Sequence, residues 1–302
     1  MKKIKFLLVS LVAAVLVGCG TTKTVPITGR QQSLMVSDGE VLSLSTQQYQ
    51  EFMKTAKLST NATNTAMVKR VGEKLATAVT NYMKSAGLSE DLQYYNWQFN
   101  LVQNNQVNAW CVPGGLICVY EGLLPVTQDE ASLAIVLGHE IAHAVARHSA
   151  EQMSTQMKQQ YGLQIGTAIA GAVGVGATAQ SIGQWALSQQ FNFKNLKYSR
   201  SHESEADHLG LIFAAMAGYD PQVAVPFWQR MAAKNGNSQQ NDLYSDHPSD
   251  ATRIKQIQEW MPEALRYYTP PTTTTTTAKK ATTTKKTTTK KTTTKKTTTK
   301  KK

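Results

Sequence analysis

The chain has 302 residues, a formal charge of +12 and three cysteines. Eleven lysines and no acid fall after Thr269, and Lys2, Lys3 and Lys5 add three more, so the part between carries −2. The basic balance therefore belongs to the two ends, which excludes a folded body that binds nucleic acid through its overall charge; the roughly 250 residues left suffice for one well-cored domain.

At the N-terminus the three lysines precede an apolar run from Phe6 to Val17. That run is too short to span a bilayer comfortably and has the form of an export signal. It closes with Leu16-Val17-Gly18-Cys19, which resembles a bacterial lipobox. The resemblance implies cleavage of residues 1–18, lipidation of Cys19 and a stable membrane anchor, since several acyl chains hold where one does not. Gly20 after the cysteine, in place of Asp, favours the outer membrane. Residues 19–36 are then read as a linker.

Ser37 to Lys57 is expected to form a polar-faced helix. Asn61 to Ser85 follows, with Val68, Val71, Leu75, Val79 and Tyr82 at helical spacing and Gly87 as the stop. Tyr94–Val102 and Val107–Val119 are β-rich, and Pro113-Gly114-Gly115 divides the second run into a hairpin. A hairpin centred between Gly114 and Gly115 sets Cys111 opposite Cys118. The two thiols then either bridge across the strands or stay reduced and buried.

Thr127-Gln-Asp-Glu130 fits a capping box and opens a long helix carrying Leu133, Val136, Leu137, Ile141 and Val145. Leu163–Ala179 is rich in Gly, Ala and Val, yet short and interrupted by polar residues, and reads as a helical hairpin beside the site. Arg200–Ala217 is helical and ends at Gly218; Asp220-Pro221 starts another helix, and Ser249 the last, which ends near Met261-Pro262. From Thr269 the repeat TTTKK has nothing apolar to bury and is read as a disordered tail, 269–302. Such a tail either rests on anionic lipid or cell-wall polymer or serves as a solvated spacer. The expected fold class is α+β, mostly α, with a small antiparallel sheet, and the folded domain runs from 37 to 268.

The chemistry lies in the long helix. His139-Glu140-Ile141-Ala142-His143 is an HExxH pattern, and a spacing of four puts both imidazoles on one helix face, within reach of one ion. Glu140, one step round, is placed to take a proton from water. A catalytic zinc needs a third protein ligand. Ala146 and Ser149 stand where a metzincin carries Gly and His, so that branch fails. Downstream, Glu203 and Asp207 lie four apart on one face, Glu203 to bind the ion and Asp207 to accept the outer N–H of a ligand histidine. Glu205 competes for the ligand role, but four residues beyond it stands Leu209. His148, His202 and His208 are expected at the surface, because two histidines and a glutamate complete the set.

HExxH, then the SRxxExEAD segment from Ser199 to Asp207, then Asp246-His247-Pro248, resembles the HtpX and CAAX-prenyl-protease family of zinc metallopeptidases, family M48. The likeness runs from about Ser37 to Trp260, and with the lipobox it is similar to the periplasmic lipoprotein branch. The resemblance implies a zincin-like domain with one Zn²⁺ per chain on His139, His143 and Glu203. It implies that His247 donates to the reaction's oxyanion, that Arg253 orients the nearby carboxylates, and that Asn108-Ala109-Trp110 with Gly114 and Gly115 forms a strand edge for an extended substrate. It further implies hydrolysis of unfolded or misfolded envelope polypeptides by a lipid-anchored enzyme facing the periplasm. The alternative is an envelope chaperone or assembly factor that cuts little. The repeat domain that this branch can carry has no counterpart after Thr269.

Overall fold

The computed structural model describes residues 21–168, 179–235 and 251–270. Cys19, His247, the middle of the small-residue stretch and the TTTKK tail lie outside the described residues. No helix among those described is long and apolar enough to cross a membrane.

The chain enters as a hairpin, not a linker. Strand β1 (Thr21–Thr24) pairs antiparallel with β2 (Gln31–Leu34), Thr21 opposite Leu34 and Thr24 opposite Gln31. Both strands are short and polar, so no alternation marks them; β2 is held because Gln32 and Leu34 turn inward and are buried. Helix α1 (Asp38–Thr55) starts at a reciprocal cap in which Ser37 accepts from the Glu40 N–H and the Glu40 carboxylate from the Ser37 N–H. Helix α2 (Ala62–Ser85), capped by Asn61, buries Val68, Val71, Leu75, Val79 and Met83 along one stripe.

Three strands follow, β3 (Gln98–Val102), β4 (Ala109–Val112) and β5 (Leu116–Tyr120), in the spatial order β3-β5-β4. The sheet is mixed rather than antiparallel. The chain reverses between β3 and β4 and again between β4 and β5. With β5 central, β3 must therefore run parallel to it.

The hairpin loop holds three residues, Pro113, Gly114 and Gly115, both glycines at positive φ (97° and 77°). That moves the hairpin's centre to Gly114, so Cys111 pairs with Ile117 and Cys118 with Trp110. A shift of one residue turns the two cysteines to opposite faces of the sheet. Cys111 joins one apolar cluster and Cys118 the other, and both are free thiols. The cross-strand disulfide is thereby overturned.

A single helical turn, Leu124–Thr127, precedes the long helix α3 (Glu130–Val145). The break falls at Gln128, which has a positive φ (67°), so the cap is Asp129, accepting from the Ser132 N–H at 2.6 Å. The expected box from Thr127 does not form, because Thr127 belongs to the preceding turn and Glu130 is already helical; Glu130 pairs with Arg70 instead. After a second break at Arg147 (φ 54°) come α4 (His148–Ala168), α5 (Ala179–Ser188) and α6 (Arg200–Met216). Helix α7 (Ala224–Asn235) is entered through a turn capped by Asp220. The last helix, α8 (Ala251–Tyr267), runs on through Pro262, since the face it buries continues to Ala264.

The sheet divides the apolar interior. One cluster gathers α2, α3, α6, α7 and α8 against one face. A second gathers β2, α1, α4 and Trp185 of α5 against the other.

Candidate metal centre

Among the described residues helices α3 and α6 pack most extensively against one another, and the site grows from their crossing. His139 and His143 stand one turn apart on α3, Glu203 and Asp207 one turn apart on α6. His139 Nε2 lies 3.0 Å from His143 Nε2, and the Glu203 carboxylate oxygens lie 3.4 Å and 3.5 Å from these two nitrogens. Thus one ligand atom from each of three buried residues falls within 4.8 Å of the others. Two imidazole nitrogens and a carboxylate oxygen converging on one point form a donor set that suits zinc.

The surroundings favour a positive charge there. Burial alone would depress the His139 imidazole, yet Asp207 and Glu203 lift it to about 9. His139 Nδ1 is hydrogen-bonded to Asp207 Oδ1 at 2.8 Å, so a metal that displaces the second proton would meet the Nε2 lone pair toward the cluster. Arg253 donates to the same Oδ1 at 2.6 Å and stacks on Trp228 at 3.6 Å. Burial would raise the Asp207 carboxyl, but Arg253 and His139 outweigh it and keep it low. Glu140 is buried at 2% exposure beside the ligands; its charge adds to the upward shift that burial gives the Cys111 thiol and the Tyr198 phenol.

Other expected site residues fall into place differently. Asn108 and Ala109 are buried at the start of β4, an edge strand packed on α3. Trp110 faces the second apolar cluster, where its Nε1 donates to Tyr120 Oη at 3.2 Å. Gly114 and Gly115 answer to the turn: a Cβ on Gly115 would lie 2.3 Å from the Trp97 ring. Near this loop a narrow cleft of about 30 Å³ reaches His143 between Leu42, Tyr95, Gly114 and Arg147. The Arg147 guanidinium is held at 2.8 Å by both Asp38 and Asp91.

His148 and His202 are buried, against the expectation of a surface position, because the break at Arg147 turns α4 back onto the site. His148 Nδ1 meets His143 Nδ1 at 2.9 Å and its Nε2 meets Glu205 at 2.9 Å. His202 stacks on His148 and faces Glu151 at 3.2 Å. His208 is half-buried on Glu263. Burial pushes His148 down to about 4; Glu205, which burial would raise, is drawn down to about 2 by His148, Arg30 and Thr28. Tyr198, in the segment entering α6, stacks on His143 at 4.0 Å and shares a hydrogen bond with Ser149. Sequence reasoning missed His148, Tyr198 and the part played by Glu205.

Residues 62–261 match the family described as Peptidase family M48. Human "Metalloendopeptidase OMA1, mitochondrial" is 30% identical over 246 residues, which cover 80% of this chain and 46% of that protein. "Mitochondrial metalloendopeptidase OMA1" of Schizosaccharomyces pombe is 32% identical over 170 residues, covering 56% of this chain and 48% of its own. "Metalloprotease LoiP" of Escherichia coli is 27% identical over 266 residues, 86% of this chain and 97% of LoiP. The chain thus spans about half the length of these mitochondrial relatives.

Proposed function

The chain belongs to peptidase family M48, and on that footing we propose that it is a zinc-dependent metalloendopeptidase, lipid-anchored at Cys19 in a bacterial envelope, that cleaves unfolded or misfolded envelope polypeptides. The observation that carries this reading is the convergence of His139, His143 and Glu203 from two crossing helices, with Asp207 and Arg253 behind His139. Bound there, zinc supplies Lewis acidity, polarising the scissile carbonyl and easing deprotonation of water.

The chain's own residues do the rest. Asp207 fixes the His139 tautomer, and Arg253 keeps Asp207 ionised. The Glu140 carboxylate takes the proton from the attacking water and hands it to the leaving amine. His247 donates to the oxyanion where charge develops. An extended peptide lies along the β4 segment from Asn108 to Gly115 and gains main-chain hydrogen bonds with little side-chain selection, which suits unfolded substrates. The lipobox at residues 16–19 supports the envelope location. The basic tail adds contact with anionic lipid or cell-wall polymer.

The test is digestion of unfolded casein by the full chain, with and without a chelator, followed by peptide mapping. Cleavage that disappears with the chelator and returns with zinc is expected. Binding of casein with no cut at any zinc level would favour the chaperone reading instead.

A further inference from the structure

His139 Nδ1 is backed by the Asp207 carboxylate, and His143 Nδ1 by the imidazole of His148. From His143 a line of contacts runs through buried His148 and Glu205 to Arg30 and Thr28 at the surface of the N-terminal hairpin. His143 Nδ1 and His148 Nδ1 are 2.9 Å apart, and His148 Nε2 is 2.9 Å from Glu205 Oε2. Arg30, from the turn between β1 and β2, donates to Glu205 Oε2 through Nε at 2.9 Å and Nη2 at 2.7 Å. Thr28 Oγ1 donates to Glu205 Oε1 at 2.6 Å. The remaining guanidinium hydrogens clasp the Glu151 carboxylate at 2.8 Å on both arms. Gln32 of β2 donates to Glu151 and to the Ala146 carbonyl, both at 2.6 Å.

Hydrogen-bond chemistry gives this line a direction. An ionised carboxylate only accepts. Glu205, held charged by Arg30 and Thr28, therefore places the His148 proton on Nε2. The His148 Nδ1 is then an acceptor, so His143 must carry its proton on Nδ1. That turns the His143 Nε2 lone pair toward His139 and Glu203. Without the Glu205 acceptor, His148 could carry its proton on Nδ1. It would then donate to His143 Nδ1 and drive the His143 proton onto Nε2, the ligating atom. His148 is fully buried, so solvent does not stand in for Glu205.

We propose that Arg30 and Thr28 of the N-terminal hairpin, acting through Glu205 and His148, are positioning residues that set the tautomer of His143 and so the affinity of the metal centre. This rests on the reading of His139, His143 and Glu203 as zinc ligands. It extends the site's support to residues 28–30, outside the 62–261 that match the family. It also gives Glu205 a task other than ligation.

The experiment measures zinc affinity of the purified full chain by competition with a chromophoric chelator. The metal-free thermal midpoint and the ¹⁵N-imidazole spectrum of histidine-labelled protein are recorded in parallel. Glu205→Ala, which removes the acceptor for His148, is expected to weaken zinc binding at least about tenfold, the scale usual for groups that orient metal ligands. Arg30→Ala and Thr28→Val should weaken it several-fold, with partial recovery in Arg30→Lys. The His143 nitrogen shifts should move toward the Nε2–H form. A lowered midpoint in these variants with unchanged zinc affinity and unchanged His143 shifts would overturn the inference and leave only a structural hairpin. Wild-type protein that binds no zinc, tested beside His139→Ala, would instead overturn the ligand assignment itself.

Discussion

Gly138 and Gly210 meet backbone to backbone where α3 crosses α6. A Cβ on Gly138 would lie 2.6 Å from the Gly210 carbonyl oxygen, and one on Gly210 would lie 2.6 Å from the His139 backbone nitrogen. No side chain separates the helices at this level, so the distance from His139 to Glu203 and Asp207 is set by main chain alone. A close approach of this kind is the service that only glycine renders.

Adding a methyl group at either position tests that relationship. Ala is the better helix former by about 1 kcal/mol, but the clash here is with backbone, which cannot step aside as a side chain tip does. Gly138→Ala and Gly210→Ala are each expected to destabilise the fold by about 1–3 kcal/mol, the usual range for overpacking. Each should also weaken zinc binding, because the helices must part next to His139. Denaturant unfolding and chelator competition would measure the two effects; a variant as stable as wild type would contradict the close crossing.

Glu140 and His139 are adjacent and should fail in different ways. Glu140→Gln removes a general base while leaving the donors in place, so casein turnover should fall by about 10²–10⁴-fold with bound zinc unchanged. His139→Ala removes a ligand, so metal and turnover should vanish together. Metal analysis beside the kinetic assay separates the two; an active Glu140→Gln would rule out the proposed base.

The two core cysteines should behave as buried apolar residues. Burial raises the Cys111 thiol and pushes Cys118 up to about 12, so neither offers thiolate near neutral pH. Native protein treated with iodoacetamide at pH 8 should gain no label at Cys111 or Cys118, and both should label fully after unfolding. A reductant should leave the thermal midpoint unchanged, since no bridge joins the two faces of the sheet.

The hairpin anchor should be sensitive to acid. The folded Glu205 carboxyl sits near 2, against 4.5 ordinarily, and Glu151 is drawn below its ordinary value too; in both, hydrogen bonds that include Arg30 outweigh the opposing effect of burial. A carboxyl depressed on folding contributes stability that is complete above its unfolded value and is lost as pH falls through the folded one. The stability gap between wild type and Arg30→Ala should therefore be widest above pH 5 and narrow toward pH 2. Unfolding curves at intervals across that range would show it; a gap that grew on acidification would contradict the assignment.

What the sequence disclosed was whatever depends on neighbours along the chain. The stripe of α2, the Asp220-Pro221 start before α7, and the i, i+4 pairs His139/His143 and Glu203/Asp207 are all local patterns, and the structure places them as such. What it withheld depends on distant partners or on a single residue of register. His148 and Glu205 are 57 positions apart, and Arg30 and Glu205 175 apart, so no spacing rule joins them. The hairpin at Gly114 turned on whether its loop held two residues or three, and that decided which face each cysteine took. Strands β1 and β2 are too short and too polar to show a period, and tertiary contacts decided them.

The sheet that parts the interior also sorts the helices by what holds them in place. Side chains of α1, α4 and α5 rest on its far face as one layer, while α3 and α6 are locked together on the near side by their glycines. Amide hydrogens of α1 and α5 are therefore expected to exchange before those of α3 and α6, whose crossing leaves no gap for water.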